Sequence, residues 1–266
     1  MADYHTLNPD DEKLLNDIQE REIVYHDGKP TKIRKSLYHE YSKAARHFLS
    51  LFPNKFADRI ELAKDKAMLS HILEQFKALI DKTITTERQI LNFLNAEDAK
   101  FIPASIVSRG YNFGHHALFV FPEFPLTVNH KPDFLLVGQN SDGYHFIFVE
   151  LENPTKDITL ANGTYGTTIR KGITQVEDWN HWLQKNFHHL KPVFDKDKKH
   201  GELLPDEFTE YDKTRVHFVV VAGRRSDFQE ETYRRNRERQ QTQVVQIMHY
   251  DNLIEAAEEA LKTESF

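Results

Sequence analysis

PDFLLVGQNSDGYHFIFVELE, residues 132–152, is the stretch that decides the fold of this chain. Two apolar runs stand on either side of Asp142-Gly143, a dipeptide that favours a tight turn between antiparallel strands. The stretch therefore predicts a β-hairpin. Its turn is centred either on this dipeptide or one residue earlier, and the choice decides which residues lie opposite each other.

Three carboxylates meet at the open end of the predicted hairpin. The earlier turn sets Asp133 opposite Glu150, and the later turn sets Asp133 opposite Glu152. In both registers the three side chains share one face, because side chains alternate along a strand. Opposed Cβ atoms lie ~5 Å apart and diagonal ones ~7 Å apart. A divalent cation such as Mg²⁺, Mn²⁺ or Ca²⁺ would relieve the repulsion between these charges.

Two other interpretations of these acids stay open on spacing alone. Carboxylates at strand ends are usually exposed to solvent, so the three acids need no common purpose. A pair of carboxylates on adjacent strands also suits a glycosidase, in which two acids flank a sugar at a defined separation. The sequence shows no aromatic platform for a sugar, which disfavours the glycosidase.

Residues 85–266 alternate between predicted strands and helices. A capped helix over 85–95 carries Glu87 in its first turn. The expected strands lie at 104–110, 117–126, 132–138, 144–152, 215–223 and 244–250; the expected helices lie at 166–186, 229–241 and 251–262; and 189–207 is expected to be a loop. This order predicts an α/β domain with a central mixed sheet flanked by helices.

Residues 1–84 are predicted to form a separate, mainly helical region. Apolar residues recur at helical spacing over 32–52 and again over 58–82, where Met68 begins the pattern. A small hairpin is expected around Asp27-Gly28. The region has no clustered acids, nucleophile or glycine-rich loop, so it is expected to serve assembly or regulation.

Composition limits the classes of function. The 266 residues include no cysteine, which excludes disulfides, thiolate zinc sites and cysteine nucleophiles and fits a reducing cytoplasm. The first residues form no apolar signal peptide, and no run approaches the ~20 apolar residues of a membrane span. Cytoplasmic localisation without a membrane partner is therefore expected. Because the formal net charge is -6, any binding of nucleic acid must use a local basic patch.

The helix predicted over 166–186 adds polar groups to the acidic cluster. Lys171, Gln175 and Trp179 are each one turn apart and share a helix face. Lys171 and Gln175 lie near the border of the apolar side. Together with the three acids, Gln175 completes a set of residues that occurs in a known superfamily.

The set resembles the motif of PD-(D/E)XK nucleases: Pro-Asp, then an apolar strand ending in Glu-x-Lys or a variant, then a helix with Gln-x-x-x-aromatic. More narrowly, residues from about 85 to 260 are similar to the nuclease domain of the Shedu anti-phage defence family. The similarity lies in TERQILNFLN, KPDFLLVG, FVELENP, ITQVEDW, VHFVVVAGRRSDF and VVQIMHYDNLIEAA.

The resemblance implies a restriction-endonuclease-like fold and metal-dependent hydrolysis of phage or plasmid DNA by a homo-oligomer. It implies that Asp133, Glu150 and the Leu151 carbonyl hold Mg²⁺ or Mn²⁺, and that Gln175 belongs to the catalytic set. In many relatives an equivalent of Glu87 reaches the site from the opening helix. A first-turn acid that interacts only with the helix dipole is an equally good explanation for Glu87.

Glu152 stands where the family usually has lysine, and three explanations remain open. Glu152 serves as base or as a second metal ligand; or Lys171 takes over the role of the lysine; or the protein binds nucleic acid without cutting, as a regulatory module of a defence complex. We favour Glu152, because strand geometry fixes its position whereas that of Lys171 depends on how its helix docks.

Contacts to DNA phosphates require lysine or arginine. The candidates are Arg170 and Lys171 on the glutamine-bearing helix, and Arg224 and Arg225 after the apolar strand over 215–223. The further arginines between 234 and 239 alternate with glutamates, which is typical of a solvated helix face.

Overall fold

A five-stranded mixed sheet forms the centre of the computed structural model, which describes residues 8–37, 39–41, 46, 49–243 and 245–266. The strands are β1 (Ile23–His26), β2 (Lys29–Arg34), β3 (Ala117–Pro122), β4 (Phe134–Asn140), β5 (Gly143–Leu151), β6 (Val216–Val221) and β7 (Val245–Met248). The helices are α1 (Pro9–Arg21), α2 (Arg59–Lys64), α3 (Lys66–Ile80), α4 (Glu87–Leu94), α5 (Phe101–Ala104), α6 (Thr167–Asn186), α7 (Lys191–Asp197), α8 (Glu230–Gln243) and α9 (Tyr250–Thr263).

The sheet has the order β3-β4-β5-β6-β7. Strands β3, β4 and β5 are antiparallel neighbours, whereas β5, β6 and β7 run parallel. The parallel connections pass through helices, α6 and α7 between β5 and β6 and α8 between β6 and β7. The predicted α/β fold, a mixed sheet flanked by helices, is confirmed.

The hairpin of β4 and β5 adopts the earlier of the two predicted turns. Phe134 lies opposite Val149, and Asn140 lies opposite Gly143, so the next pair outward is Asp133 with Glu150. Gly143 has φ of 115°, a conformation that L side chains rarely adopt. The glycine therefore fixes the turn, and the turn fixes the register of the acids.

Strands β5 and β6 are mainly apolar because both of their faces are buried. Phe146, Ile147, Phe148 and Val149 are all buried, because helices cover both faces of the sheet. One face packs on α3, α4 and α9, and the other packs on α6 and α7. The carboxyl end of β5 emerges between these two helical layers.

The N-terminal residues form α1 and the small hairpin β1–β2, which confirms the hairpin expected around Asp27-Gly28. The helix expected from residue 32 is wrong at its start, since residues 32–34 belong to β2. Pairing with β1 extends to Arg34, opposite Ile23, and takes precedence over the helical spacing. Residues 38, 42–45, 47 and 48 of that expected helix lie outside the described part of the chain.

Helix α3 lies within the predicted helix, and its buried stripe differs from the predicted one at the start of the helix, at Met68. It buries Leu69, Leu73, Phe76 and Ile80, whereas Met68 is 44% exposed. These residues pack against α9 in the same core as the sheet, and the position of α9 selects the buried stripe. Helix α3 thus belongs to the helical layer that covers one face of the central sheet.

Two other expectations are wrong. Residues 104–110, expected as a strand, form a helical turn after α5, because Ile106 and Val107 are buried against α9 rather than against a neighbouring strand. The expected loop over 189–207 contains α7, whose proline lies in the first helical turn, where no N–H donor is needed. Phe194 anchors α7 among aromatic rings. Across the described ranges, every helix is too short or too polar to cross a bilayer.

Candidate active site

Three acids lie together where β4 begins and β5 ends. Asp133 directly precedes β4, and its Oδ2 atom accepts a hydrogen bond of 2.8 Å from the Leu151 backbone N–H. Glu150 and Glu152 lie on either side of Leu151, so they project to the same side. Glu150 is 5% exposed and Glu152 is fully buried. The acids therefore lie inside the protein, unlike ordinary solvated acids at a strand end.

Glu87 enters the same cluster from α4. The helix begins with a reciprocal capping box between Thr86 and Gln89, which fixes its first turn. Glu87 in that turn accepts an ion-pair contact of 3.2 Å from the Lys171 ammonium group. Its position therefore brings a fourth carboxylate to the cluster.

Lys171 reaches the acids from α6. Its Nζ atom lies 2.9 Å from Glu152 Oε2, so the lysine bridges Glu152 and Glu87. Gly172 permits this approach, because a Cβ there would lie 2.6 Å from Val220 Cγ1 and 3.1 Å from Glu152 Cγ. Glu152 and Lys171, the two alternative replacements for the lysine of the usual motif, are thus in direct contact.

Gln175 lies one turn after Lys171 and is half-buried. Its side chain makes no hydrogen bond to the carboxylates. Trp179, a further turn along α6, is buried in the aromatic core beneath the sheet rather than at the acids. The structure therefore brings Gln175 to the edge of the cluster and takes Trp179 away from it.

The arginines after β6 have acidic partners. Arg224 binds Asp251 at 2.8 Å and also contacts Asp81 at the end of α3. Arg225 pairs with Glu255 on α9. These bonds tie the end of β6 to two helices and neutralise both charges. Arg170 lies one residue before Lys171 on α6; it is exposed and makes no ion pair with a described residue.

Burial makes the acids reluctant to ionise. Desolvation, reinforced by the charges of Asp133 and Glu152, raises the pKa of Glu150 to about 9. Desolvation raises the pKa of Glu152 to about 7 although Lys171 opposes the shift, and it raises that of Asp133 to about 6 although the Leu151 N–H opposes it. The Oε1 atom of Glu152 is buried without a hydrogen-bond partner among the described residues. Fully ionised, the four carboxylates would carry more negative charge than Lys171 compensates, so without a metal ion the cluster retains protons near neutral pH.

The donor chemistry suits a hard divalent ion, since carboxylate and carbonyl oxygens are the ligands of Mg²⁺ and Mn²⁺. Asp133, Glu150 and the Leu151 carbonyl supply such oxygens. No three His, Asp or Glu side chains in the described ranges already surround one cation position. Glu152 and Glu87 instead turn towards Lys171, and Asp133 turns towards the Leu151 N–H.

Tyr250 was missed by sequence analysis. It is fully buried at the start of α9, and its hydroxyl donates a 2.8 Å hydrogen bond to the Glu152 carbonyl oxygen. The Glu152 N–H donates to the Val221 carbonyl, so both backbone polar groups of Glu152 are hydrogen-bonded. The sequence placed Tyr250 in a recognisable Tyr-Asp-x-Leu run but gave no reason to connect it with β5, about a hundred residues earlier.

The raised pKa values predict a pH dependence of stability in metal-free protein. The folded state holds the Glu150 proton more tightly than the unfolded chain does, so the acid form favours folding. This stabilisation is complete below the unfolded pKa, near 4.5, and is lost as pH rises through about 9. Glu150→Gln should therefore become increasingly more stable than wild type between pH 5 and pH 9.

Urea unfolding in EDTA at several pH values measures this difference. Buried histidines such as His217, whose pKa is lowered by burial, change the free energy of unfolding with pH in the opposite direction. Their contribution is the same in wild type and in Glu150→Gln, so it cancels in the difference between the two proteins. A constant offset between wild type and Glu150→Gln across the pH range would contradict the predicted titration.

Comparison with known proteins supports the resemblance seen in the sequence. Residues 72–254 match the family described as Shedu protein SduA, C-terminal, a range that begins in α3, ends in α9 and contains all four acids of the cluster. No curated protein matches the chain. Because the match covers more than half of the sequence, the chain belongs to the Shedu SduA family, and this membership implies a role in anti-phage defence.

Proposed function

We propose that this protein is a metal-dependent nuclease of the PD-(D/E)XK type that hydrolyses DNA phosphodiester bonds in anti-phage defence. The observation that supports it most is the pair of buried acids Glu150 and Glu152 at the end of β5, with half-buried Asp133 beside them and Lys171 paired to Glu152. Buried acids with raised pKa values are costly for stability, and such groups concentrate at functional sites.

Asp133, Glu150 and the Leu151 carbonyl are the proposed ligands of one Mg²⁺ or Mn²⁺ ion. The bound ion would polarise the scissile phosphate and lower the pKa of a water molecule. Tyr250 and the Val221 carbonyl hold the Glu152 peptide directly beyond these ligands. The end of β5 is therefore fixed before substrate binds, which suits a site that must place charges accurately.

Lys171 and Glu152 are proposed to act as one unit. Glu152 orients the ammonium group, and the ammonium group faces the cluster where a phosphate would bind. A lysine in this position supplies hydrogen-bond donors to the attacking water and to phosphate oxygens. The pair thereby takes the catalytic role of the lysine that the usual motif carries on the strand.

DNA binding is proposed to use Arg170, which is exposed, precedes Lys171 on α6 and makes no ion pair with a described residue, its nearest acidic influence being the electrostatic interaction with Asp157. Arg224 and Arg225 are less suited, because acids already neutralise them. The proposed protein is a homo-oligomer, and assembly or regulation by residues 1–84 stays a prediction.

A plasmid assay tests the proposed activity. Supercoiled plasmid should be nicked or linearised with Mg²⁺ or Mn²⁺ and should stay intact with EDTA. The alternative function, a regulatory module that binds nucleic acid without cutting, is favoured by the glutamate at position 152. Retained DNA binding without metal-dependent cleavage would support the module and contradict the nuclease.

Metal binding should also stabilise the folded protein. An ion that binds only the native state adds about 2.7 kcal/mol to the free energy of unfolding at ~100 times its dissociation constant. For a chain of this size that corresponds to a rise in Tm of several degrees, roughly 2–4 °C per kcal/mol. Asp133→Asn removes one proposed ligand and should lose most of the rise. Equal shifts in wild type and Asp133→Asn would place the ion elsewhere.

A further inference from the structure

The contacts of Lys171 bear on how many metal ions the site takes, a question that rests on the proposed function. We propose that the Lys171 ammonium group occupies the position of a second divalent cation, so that the site binds a single metal ion on Asp133 and Glu150. Glu152 and Glu87 then serve as ligands of the lysine rather than of a metal.

The position of the ammonium group is set by three separate elements. Glu87 comes from α4, Glu152 from the end of β5, and Lys171 from α6. The Nζ atom lies 2.9 Å from Glu152 Oε2 and 3.2 Å from Glu87 Oε2. A bridging metal between two carboxylates from different elements would make the same two contacts, at shorter distances.

Gly172 shows that this placement is built into the packing. The closeness of α6 to β6 and to Glu152 leaves no room for a Cβ at position 172. The helix therefore approaches the acids as closely as its backbone allows, and Lys171 spans the remaining gap. An α6 held farther away would leave Glu152 buried without a cation.

The other half of the cluster lacks an internal cation. Glu150 is buried and makes neither a hydrogen bond nor an ion pair with a described residue. Asp133 uses one oxygen for the Leu151 N–H and interacts electrostatically with Glu150. Lys171 is thus the cation of Glu152 and Glu87, and the oxygens of Asp133 and Glu150 are the ones left for a divalent ion.

Replacing the lysine should open the second position. Lys171→Met keeps a long apolar stem but removes the charge, which leaves the neighbouring carboxylates of Glu152 and Glu87 without the cation that both now contact. A second Mn²⁺ ion should then bind. The matched control is Lys156→Met, which removes an exposed lysine from the loop after β5 that makes no ion pair with a described residue.

The experiment counts bound Mn²⁺ by isothermal titration calorimetry and by electron paramagnetic resonance of free Mn²⁺, without DNA. Wild type and Lys156→Met should bind one ion per chain, and Lys171→Met should bind two. Adding Glu152→Gln to Lys171→Met should return the count to one. Circular dichroism and the melting temperature establish that each variant is folded.

Each outcome separates the inference from the function on which it rests. Two ions in wild type, or one ion in folded Lys171→Met, would overturn the inference and leave the proposed nuclease intact. An unfolded Lys171→Met would leave the wild-type count as the decisive measurement. No binding in wild type, or binding that Asp133→Asn leaves unchanged, would contradict the metal site itself and the inference with it.

Discussion

Asp133→Asn and Glu150→Gln are each expected to reduce Mg²⁺-dependent plasmid cleavage by about a thousand-fold or more. Each substitution keeps the shape of the side chain and removes one charged ligand. A metal ion contributes several kcal/mol of transition-state stabilisation, and each ~1.4 kcal/mol changes the rate tenfold. Loss of the ion alone therefore accounts for an effect of this size.

The control for these two variants is a substitution that removes a negative charge outside the acidic cluster. Glu74→Gln neutralises an exposed glutamate on α3 that pairs with Lys77 and makes no ion pair with the cluster. It should cleave at the wild-type rate. Both site variants should stay folded, and Glu150→Gln should be the more stable protein at pH 8, because ionisation of residue 150 in the unfolded chain no longer favours unfolding. Rapid cleavage by folded Asp133→Asn would show that the active site lies elsewhere.

Removing either partner of the Glu152–Lys171 pair is expected to slow single-turnover cleavage by about 10²–10⁴-fold, the range for a positioned proton-transfer group. Sequence analysis favoured Glu152 over Lys171 as the residue that replaces the usual lysine. The 2.9 Å ion pair changes that expectation, since Glu152 alone fixes no ammonium group and Lys171 alone is not oriented.

A double-mutant cycle measures whether the two act together. The double variant should be no slower than the slower single variant, because residues that act as a unit show non-additive losses. Rates are compared at saturating DNA and at Mg²⁺ just sufficient for the wild-type site, with DNA affinity measured at fixed salt. Additive losses would show that the two residues act independently, and near wild-type cleavage by Lys171→Ala would leave Glu152 alone as the important group.

The hairpin was predictable because its information is local. Alternation along β5 and the turn at Gly143 place Asp133, Glu150 and Glu152 together without reference to the rest of the chain. The sequence left two registers open, and both brought the acids to one face. Residues 104–110 show the limit of the same reasoning, since a short buried apolar run looks alike in a strand and in a helical turn.

The positions of the remaining site residues depend on how the helices pack on the sheet. The spacing of apolar residues along the chain does not reveal that packing. Lys171 meets Glu152 because Gly172 lets α6 approach the sheet. A lone glycine inside a predicted helix was the available hint, because glycine weakens a helix interior and suggests a close contact. Arg224 pairs with Asp81 and Asp251, which are distant from it in the sequence. Its ion pairs could therefore not be recognised from the residues adjacent to it in the chain.

The location of β5 within the sheet divides the cluster into a rigid part and an adjustable part. Both edges of β5 are paired, with β4 on one side and β6 on the other, so its amides should be among the last to exchange with deuterium. The Lys171 side chain is 52% exposed and reorients without breaking any backbone hydrogen bond. The backbone that carries Glu150 therefore moves only when the domain opens, whereas the cation relaxes on the timescale of a surface rotamer. Ion uptake should accordingly be fast and should leave the exchange pattern of β5 unchanged.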